Sequence, residues 1–184
     1  MYVVKGKNII IAAVLALACV AAAVCIGAMN KGGGQVSASE IKVVIDAGHG
    51  GVDGGVTGVK TGVKESELNL AVARKLAKHF NNAGIDTVLT RDSDAGLYGT
   101  ATGNLKRKDM EARRDIILKE KPTLVISVHM NKYSVSTRRG AQVFFDENSE
   151  YGKLLADCVQ ESFNAMEEAV RESSALKGDY YLSL

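Results

Sequence analysis

The chain has 184 residues, a length that accommodates one domain and a short appendage. An apolar content of 46%, a charged content of 24% and a single proline describe a globular chain and exclude a disordered, collagen-like or coiled-coil protein. The net charge of +2 gives no support for a nucleic-acid partner, which would favour a strongly basic surface.

The N-terminal segment predicts a membrane anchor. From Ile9 to Met29 the chain has 21 residues without a charge, close to the roughly 20 apolar residues that cross a bilayer. A cleavable signal usually has a shorter apolar region of about 7–15 residues, although the small residues at 36–38 leave cleavage open. Lys5 and Lys7 favour a cytoplasmic N-terminus. We therefore predict a transmembrane helix within residues 1–30, a Gly-rich linker over 31–39 and an extracytoplasmic domain, which would be secreted if the segment is cleaved.

The domain begins with a strand, a helix and a second strand. The β-branched run Ile41–Ile45 predicts a buried strand that ends at a Gly-rich loop. Ser66 is the predicted N-cap of an amphipathic helix, and Gly84 is placed to end it. Residues 85–90 predict the second strand. The apolar face of the helix consists of Leu68, Val72, Leu76 and Phe80.

A second helix and a third strand follow a loop without periodicity. Asp109 is the predicted N-cap of the helix, which should end before Pro122. The apolar run Leu124–Val128 is typical of a strand in a parallel sheet that is covered on both faces. The predicted core face of the helix consists of Met110, Ile116 and Ile117. Its predicted solvated face carries the basic residues Lys106, Arg107, Lys108, Arg113 and Arg114.

The C-terminal part adds one strand and one helix. Residues 141–145 predict the strand. Apolar residues at helical spacing predict the helix, with an apolar stripe of Leu154, Leu155, Cys158, Val159, Phe163 and Met166. Strands that alternate with helices indicate an α/β fold with a mostly parallel central sheet flanked by helices. We predict one domain over residues 40–184.

Two of the three histidines each follow a predicted core strand. Ligands bind at the carboxyl ends of parallel strands, so His49 and His129 can converge on one site. Imidazole is the commonest metal ligand, and a hydrolytic zinc usually takes three protein ligands. Asp46, Asp53 and Glu65 all qualify chemically as the third ligand, and their spacing does not choose among them.

The competing interpretation is that His49 and His129 are loop residues and that no metal binds. The chain would then be a membrane-anchored structural protein. The third histidine, His79, follows Lys78 on the first predicted helix, and we expect it at the surface.

Four segments, in this order, resemble the zinc-dependent N-acetylmuramoyl-L-alanine amidases of type 3. They are VIDAGHGG at 44–51, KESELNL at 64–70, LTRDSD at 89–94 and ISVHMN at 126–131. The segment GAQVFF at 140–145 also fits, so that the resemblance covers nearly all of the chain from Ile41. It implies that His49, Glu65 and His129 bind Zn²⁺.

The resemblance also implies a reaction. These amidases hydrolyse the amide between N-acetylmuramic acid and L-alanine, so that the partners would be peptidoglycan glycan strands and their stem peptides. An anchor followed by one catalytic domain is similar to the members that act in spore-cortex formation. A peptidase specificity and an activating protein partner are both left open.

The chain departs from the family pattern at its C-terminus. Members continue with a strand that ends in a glutamate, the general acid/base, and with a closing helix. We therefore expect that glutamate to lie beyond Leu184 and the catalytic domain to be truncated, with Glu67 and Asp53 as weaker candidates for its role. The alternative is a catalytically inactive, zinc-binding module that binds the wall or regulates another protein.

Overall fold

A computed structural model describes residues 40–130, Lys132, 140–166 and 172–178. These residues divide into two compact units, one up to Lys132 and the other from residue 140. The first unit contains strands β1 (Lys42–Ala47), β2 (Asp86–Leu89) and β3 (Leu124–Val128) and helices α1 (Glu65–Asn82) and α2 (Leu105–Glu120). The second contains β4 (Phe144–Phe145), α3 (Glu150–Asn164) and β5 (Leu176–Lys177).

The first unit is built on a parallel sheet of order β2-β1-β3. The central strand β1 is the most buried, and its residues Val43, Val44 and Ile45 are at most 1% exposed. Residue Ile45 pairs with Leu89 on one side and with Ile126 on the other, so that the three carboxyl ends lie at one edge. The predicted α/β fold with a parallel sheet is confirmed. Strand β3 is only half-buried, however, and the prediction that both its faces are covered is wrong.

Helix α1 packs on β1 and β2 and ends as predicted, because Gly84 takes a positive φ of 79° two residues beyond it. The prediction of Ser66 as N-cap is wrong. The Glu65 amide donates to the Val56 carbonyl at 2.8 Å, and the Ser66 amide to the Gly54 carbonyl at 3.1 Å. A neighbouring loop therefore caps the helix, which begins two residues earlier than an N-cap at Ser66 would place it.

Helix α2 begins at Leu105, after Asn104 in the left-handed conformation, so the prediction of Asp109 as N-cap is wrong. Asp109 instead lies inside the helix and accepts from the Leu97 amide at 2.6 Å. The prediction that Arg113 is solvated is also wrong, because this side chain is buried beside Asp109. Of the predicted apolar face only Ile117 is fully buried.

In the second unit β4 pairs in parallel with β5, and α3 packs on β4. Strand β4 is shorter than the predicted strand over 141–145. The buried face of α3 contains Ala156, Val159 and Gln160, whereas Leu154 is 48% exposed and does not belong to the core. Adjacent residues are about 100° apart around a helix, so Leu154 and Leu155 cannot both lie on one narrow stripe.

No helix among the described residues is long and apolar enough to cross a membrane. The predicted transmembrane helix within residues 1–30 and the linker over 31–39 lie outside the described residues.

Candidate metal centre

His49 and His129 reach one edge of the sheet because they follow neighbouring parallel strands. Ala47 at the end of β1 pairs with Val128 at the end of β3. His49 therefore lies two residues beyond its strand, and His129 lies one residue beyond. Helix α1 begins at the same edge, where Glu65 is its first residue.

One oxygen of Glu65 lies between the two imidazoles. Its Oε1 is 3.2 Å from His49 Nε2 and 3.2 Å from His129 Nδ1, and one ligand atom from each of the three residues lies within 4.8 Å of the others. The two rings pack edge to face with centroids 5.0 Å apart. The Glu65 side chain is 4% exposed, whereas that of His129 is 39% exposed. Such a group, with a buried carboxylate and accessible imidazoles, can hold a metal ion and leave a coordination position open to solvent.

The environment of Glu65 favours its ionised form. Burial raises the pKa of this carboxyl group. Hydrogen bonds from the Val56 and Met130 amides, the charge of His49 and a bond from Asn69 lower the pKa by more than burial raises it, so that it lies below its usual value. The Val56 amide donates to Oε2 at 3.0 Å and the Met130 amide to Oε1 at 2.9 Å. Glu65 is therefore charged at neutral pH, as a metal ligand must be.

Asp53 orients His49. Its Oδ2 lies 3.0 Å from His49 Nδ1, and its Oδ1 accepts from the Gly55 amide at 3.1 Å. Burial raises the pKa of Asp53, but the bonds from His49 and Gly55 lower the pKa by a larger amount, so that it lies below its usual value. The carboxylate therefore acts as an acceptor for His49 Nδ1. The other ring nitrogen, Nε2, faces Glu65 Oε1 at 3.2 Å, and a carboxylate on one nitrogen of a histidine is the arrangement that supports metal binding by the other.

Asp46 serves a different purpose. This carboxylate is 3% exposed; its Oδ1 accepts from Thr90 Oγ1 at 2.8 Å and from Arg113 Nη1 at 2.6 Å, and its Oδ2 accepts from Ser127 Oγ at 2.9 Å. Burial raises the pKa of Asp46, but Arg113 and the two hydroxyls lower the pKa by a larger amount, so that it lies below its usual value. Of the three carboxylates that the sequence left open, only Glu65 belongs to the group with both imidazoles.

The backbone approaches the cluster closely at two glycines. A Cβ at Gly48 would collide with the ring of His129, and a Cβ at Gly55 would lie 2.8 Å from Glu65 Oε2. Gly55 also has a φ of 65°, which disfavours other residues. The glycines of this loop therefore make room for the cluster.

Sequence reasoning missed three buried residues behind the site. Asn69 donates to Glu65 Oε1 at 3.4 Å, and Arg91 and Arg113 donate to carbonyls of the loop that follows β1. A signal for Arg113 existed, because it lies four residues from both Asp109 and the buried Ile117, hence on one helical face with them. Other polar residues lie outside the cluster: Glu67 is exposed in the first turn of α1, as predicted, and His79 is half-buried at the opposite end of that helix.

A comparison with protein-family models matches residues 43–182 to the family described as N-acetylmuramoyl-L-alanine amidase. Among curated proteins, the chain is 29% identical over 147 residues to the germination-specific N-acetylmuramoyl-L-alanine amidase of Bacillus subtilis (strain 168). It is 29% identical over 135 residues to the N-acetylmuramoyl-L-alanine amidase AmiA of Escherichia coli (strain K12). These alignments cover 76% and 73% of the chain, but only 60% and 43% of the two relatives.

Among solved structures, the chain is similar to the CwlD amidase from Clostridioides difficile, which was solved in complex with the GerS lipoprotein. The TM-score is 0.71 and the sequence identity 28%, and the match covers 77% of this chain and 75% of that one. The similarity therefore extends over most of the α/β fold.

Proposed function

Because the chain belongs to the N-acetylmuramoyl-L-alanine amidase family, we propose that it hydrolyses the amide between N-acetylmuramic acid and L-alanine in peptidoglycan. This reaction frees stem peptides from the glycan strands. The observation that carries the proposal is the group of His49, Glu65 and His129 at the carboxyl edge of the sheet. Ligand sites in α/β folds lie at this edge.

We propose zinc as the metal. Two imidazole nitrogens and one carboxylate oxygen form a donor set of the kind found in hydrolytic zinc sites, which use three protein ligands and keep one position open. Zinc bound there would supply a Lewis acid for amide hydrolysis. His49, Glu65 and His129 would hold the ion, and Asp53 would keep the Nδ1 proton of His49 in place.

Proton transfer needs a further group. Asp53 accepts from His49 and from the Gly55 amide, which favours an orienting role over that of general base. Glu67 is exposed on α1. We therefore propose that neither of these two carboxylates acts as the general acid/base of the reaction.

Zinc content and stem-peptide release, measured on the same purified sample, test the proposal. We expect one zinc per chain and loss of that zinc in His129→Ala. His79→Ala is the matched control, because it removes the histidine at the other end of α1, and it should retain the metal. Peptide release that depends on His129 would support the amidase directly. Zinc without release would favour the inactive-module alternative, and a folded chain without zinc would refute the metal centre.

We also propose that the chain is anchored in the cell membrane and acts on its outer side. The proposal is supported by the uncharged segment Ile9–Met29, which follows Lys5 and Lys7. Fractionation of cells, with protease added to intact protoplasts, tests it. Protease-sensitive protein in the membrane fraction is expected, and protein in the cytosol would contradict the proposal.

We further propose a role in spore-cortex formation and a lipoprotein partner. The support is the similarity to a germination-specific amidase and to an amidase solved with a lipoprotein. Deletion of the gene should leave muramic acid in the cortex substituted with peptide, and co-purification with a lipoprotein should occur during sporulation. A normal cortex in the deletion strain would refute the cortex role.

A further inference from the structure

Three consecutive carbonyl oxygens, that of the last residue of β1 and those of the first two residues of the following loop, accept hydrogen bonds from two buried arginines. The Ala47 oxygen accepts from Arg91 Nε at 2.8 Å and from Arg113 Nη1 at 2.7 Å. The Gly48 oxygen accepts from Arg91 Nη2 at 3.0 Å, and the His49 oxygen accepts from Arg113 Nη2 at 2.7 Å. The backbone around His49 is therefore fixed from behind by side chains that lie on other elements.

His49 has a backbone conformation that needs such support. Its φ is 61°, in the left-handed region that residues with a Cβ rarely adopt. Residues in this region persist where surrounding contacts determine their conformation, and they occur preferentially at functional sites. Without the bond from Arg113 to its carbonyl, the peptide could rotate towards a commoner φ and move the imidazole away from Glu65.

Arg113 is itself held rigidly. Its side chain is 2% exposed, its Nη1 donates to Asp46 at 2.6 Å, and its Nε donates to Asp109 at 2.6 Å. Burial lowers the pKa of Arg113, but the two carboxylates raise the pKa by a larger amount, so that the guanidinium stays charged. Because these two carboxylates neutralise the guanidinium, Arg113 acts on the loop through its geometry and not through an excess of positive charge.

We propose that Arg113 is a positioning residue of the metal centre, which holds the His49 backbone so that the imidazole faces Glu65 and His129. This inference rests on the proposed function, since it requires His49 to be a metal ligand. A guanidinium donates from three nitrogens in a fixed plane, whereas a lysine ammonium is a single point donor. The variant Arg113→Lys therefore keeps the charge and removes the geometry.

The test is a zinc titration of the full chain against a chromophoric chelator. We expect Arg113→Lys to bind zinc about 10- to 100-fold more weakly than the unaltered chain, the usual effect of losing a residue that supports a ligand. We also expect a changed visible spectrum after substitution with cobalt(II). The matched control Arg114→Lys changes the adjacent residue, whose side chain is 46% exposed, and should match the unaltered chain in both measurements.

The outcomes separate a positioning role from a purely structural one. If Arg113→Lys unfolds at lower temperature without metal but has the original zinc affinity and cobalt spectrum, the inference is overturned and the proposed function stands. If the unaltered chain binds no zinc, or binds it equally well in His129→Ala, both fail together. If Arg113→Lys does not fold, Asp109→Asn is the second variant. It weakens the ion pair that orients Arg113 and leaves unchanged the residues of the loop after β1. A smaller loss of zinc affinity is then expected, and unaltered affinity would overturn the inference.

Discussion

Replacing Asp53 with alanine should weaken zinc binding about tenfold. The variant removes the carboxylate that lies 3.0 Å from His49 Nδ1 and leaves the three proposed ligands in place. A hydrogen bond to a charged group contributes about 1.5–3 kcal/mol. Because the Asp53 side chain is 38% exposed, solvent screening reduces this contribution, and we expect about 1.4 kcal/mol, which corresponds to a factor of ten.

The assay is a competition titration in which Asp53→Ala, Asp53→Asn and the unaltered chain are compared at one pH. The amide oxygen of Asp53→Asn can still accept the Nδ1 proton, so its affinity should fall between the other two. Asp115→Ala is the control, because it removes an exposed carboxylate from α2. Equal affinities for Asp53→Ala and the unaltered chain would refute the conclusion that Asp53 sets the tautomer of His49.

Three further predictions concern the space, the charge and the metal at the site. Gly48→Ala should lose zinc binding in an equilibrium dialysis assay, because its Cβ would collide with His129, whereas Gly103→Ala, where a Cβ meets open space, should not. Asp46→Asn should lower the free energy of unfolding at pH 7 by about 3 kcal/mol, because it breaks a buried ion pair with Arg113. Because folding lowers the pKa of Asp46, this carboxylate stabilises the fold fully above its unfolded-state pKa of about 3.9, and the stabilisation is lost as the pH falls through its folded-state pKa. The denaturant curves of Asp46→Asn and of the unaltered chain should therefore converge in acid. Removal of zinc with a chelator should lower the melting temperature, since a ligand at 100 times its Kd stabilises by about 2.7 kcal/mol, and an unchanged melting temperature would contradict binding to the folded state.

The sequence predicted the elements whose signals are local. The strands β1, β2 and β3 coincide with apolar, β-branched runs, and Gly84 marks the end of α1 because a residue without a Cβ adopts a positive φ easily. Both N-caps were wrong for a tertiary reason. Carbonyls of the loop at 54–56 cap α1, and Asp109 is used by the Leu97 amide and by Arg113, so neither helix start is determined by its own residues alone.

The third carboxylate of the site could not be chosen from the sequence because the choice depends on distant partners. Asp46 and Asp53 both lie closer to His49 along the chain than Glu65 does. Arg113, which is 67 residues from Asp46, donates to that carboxylate, and Asp53 accepts from His49 on the side of the ring away from Glu65. Only the resemblance to the amidase family singled out Glu65 in advance, and its assignment as a ligand stays a prediction until a metal is measured.

The distribution of charge explains why a divalent cation suits this site. Behind the loop, Arg91 and Arg113 lie with Asp46 and Asp109, and these four charges sum to zero. Around His49, the ionised Glu65 and Asp53 contribute two negative charges next to the imidazole. A divalent ion would neutralise these two charges in a partly buried environment, where Coulombic interactions are stronger than in bulk water. The arginines can therefore fix the loop from behind without repelling the metal that we propose in front of it.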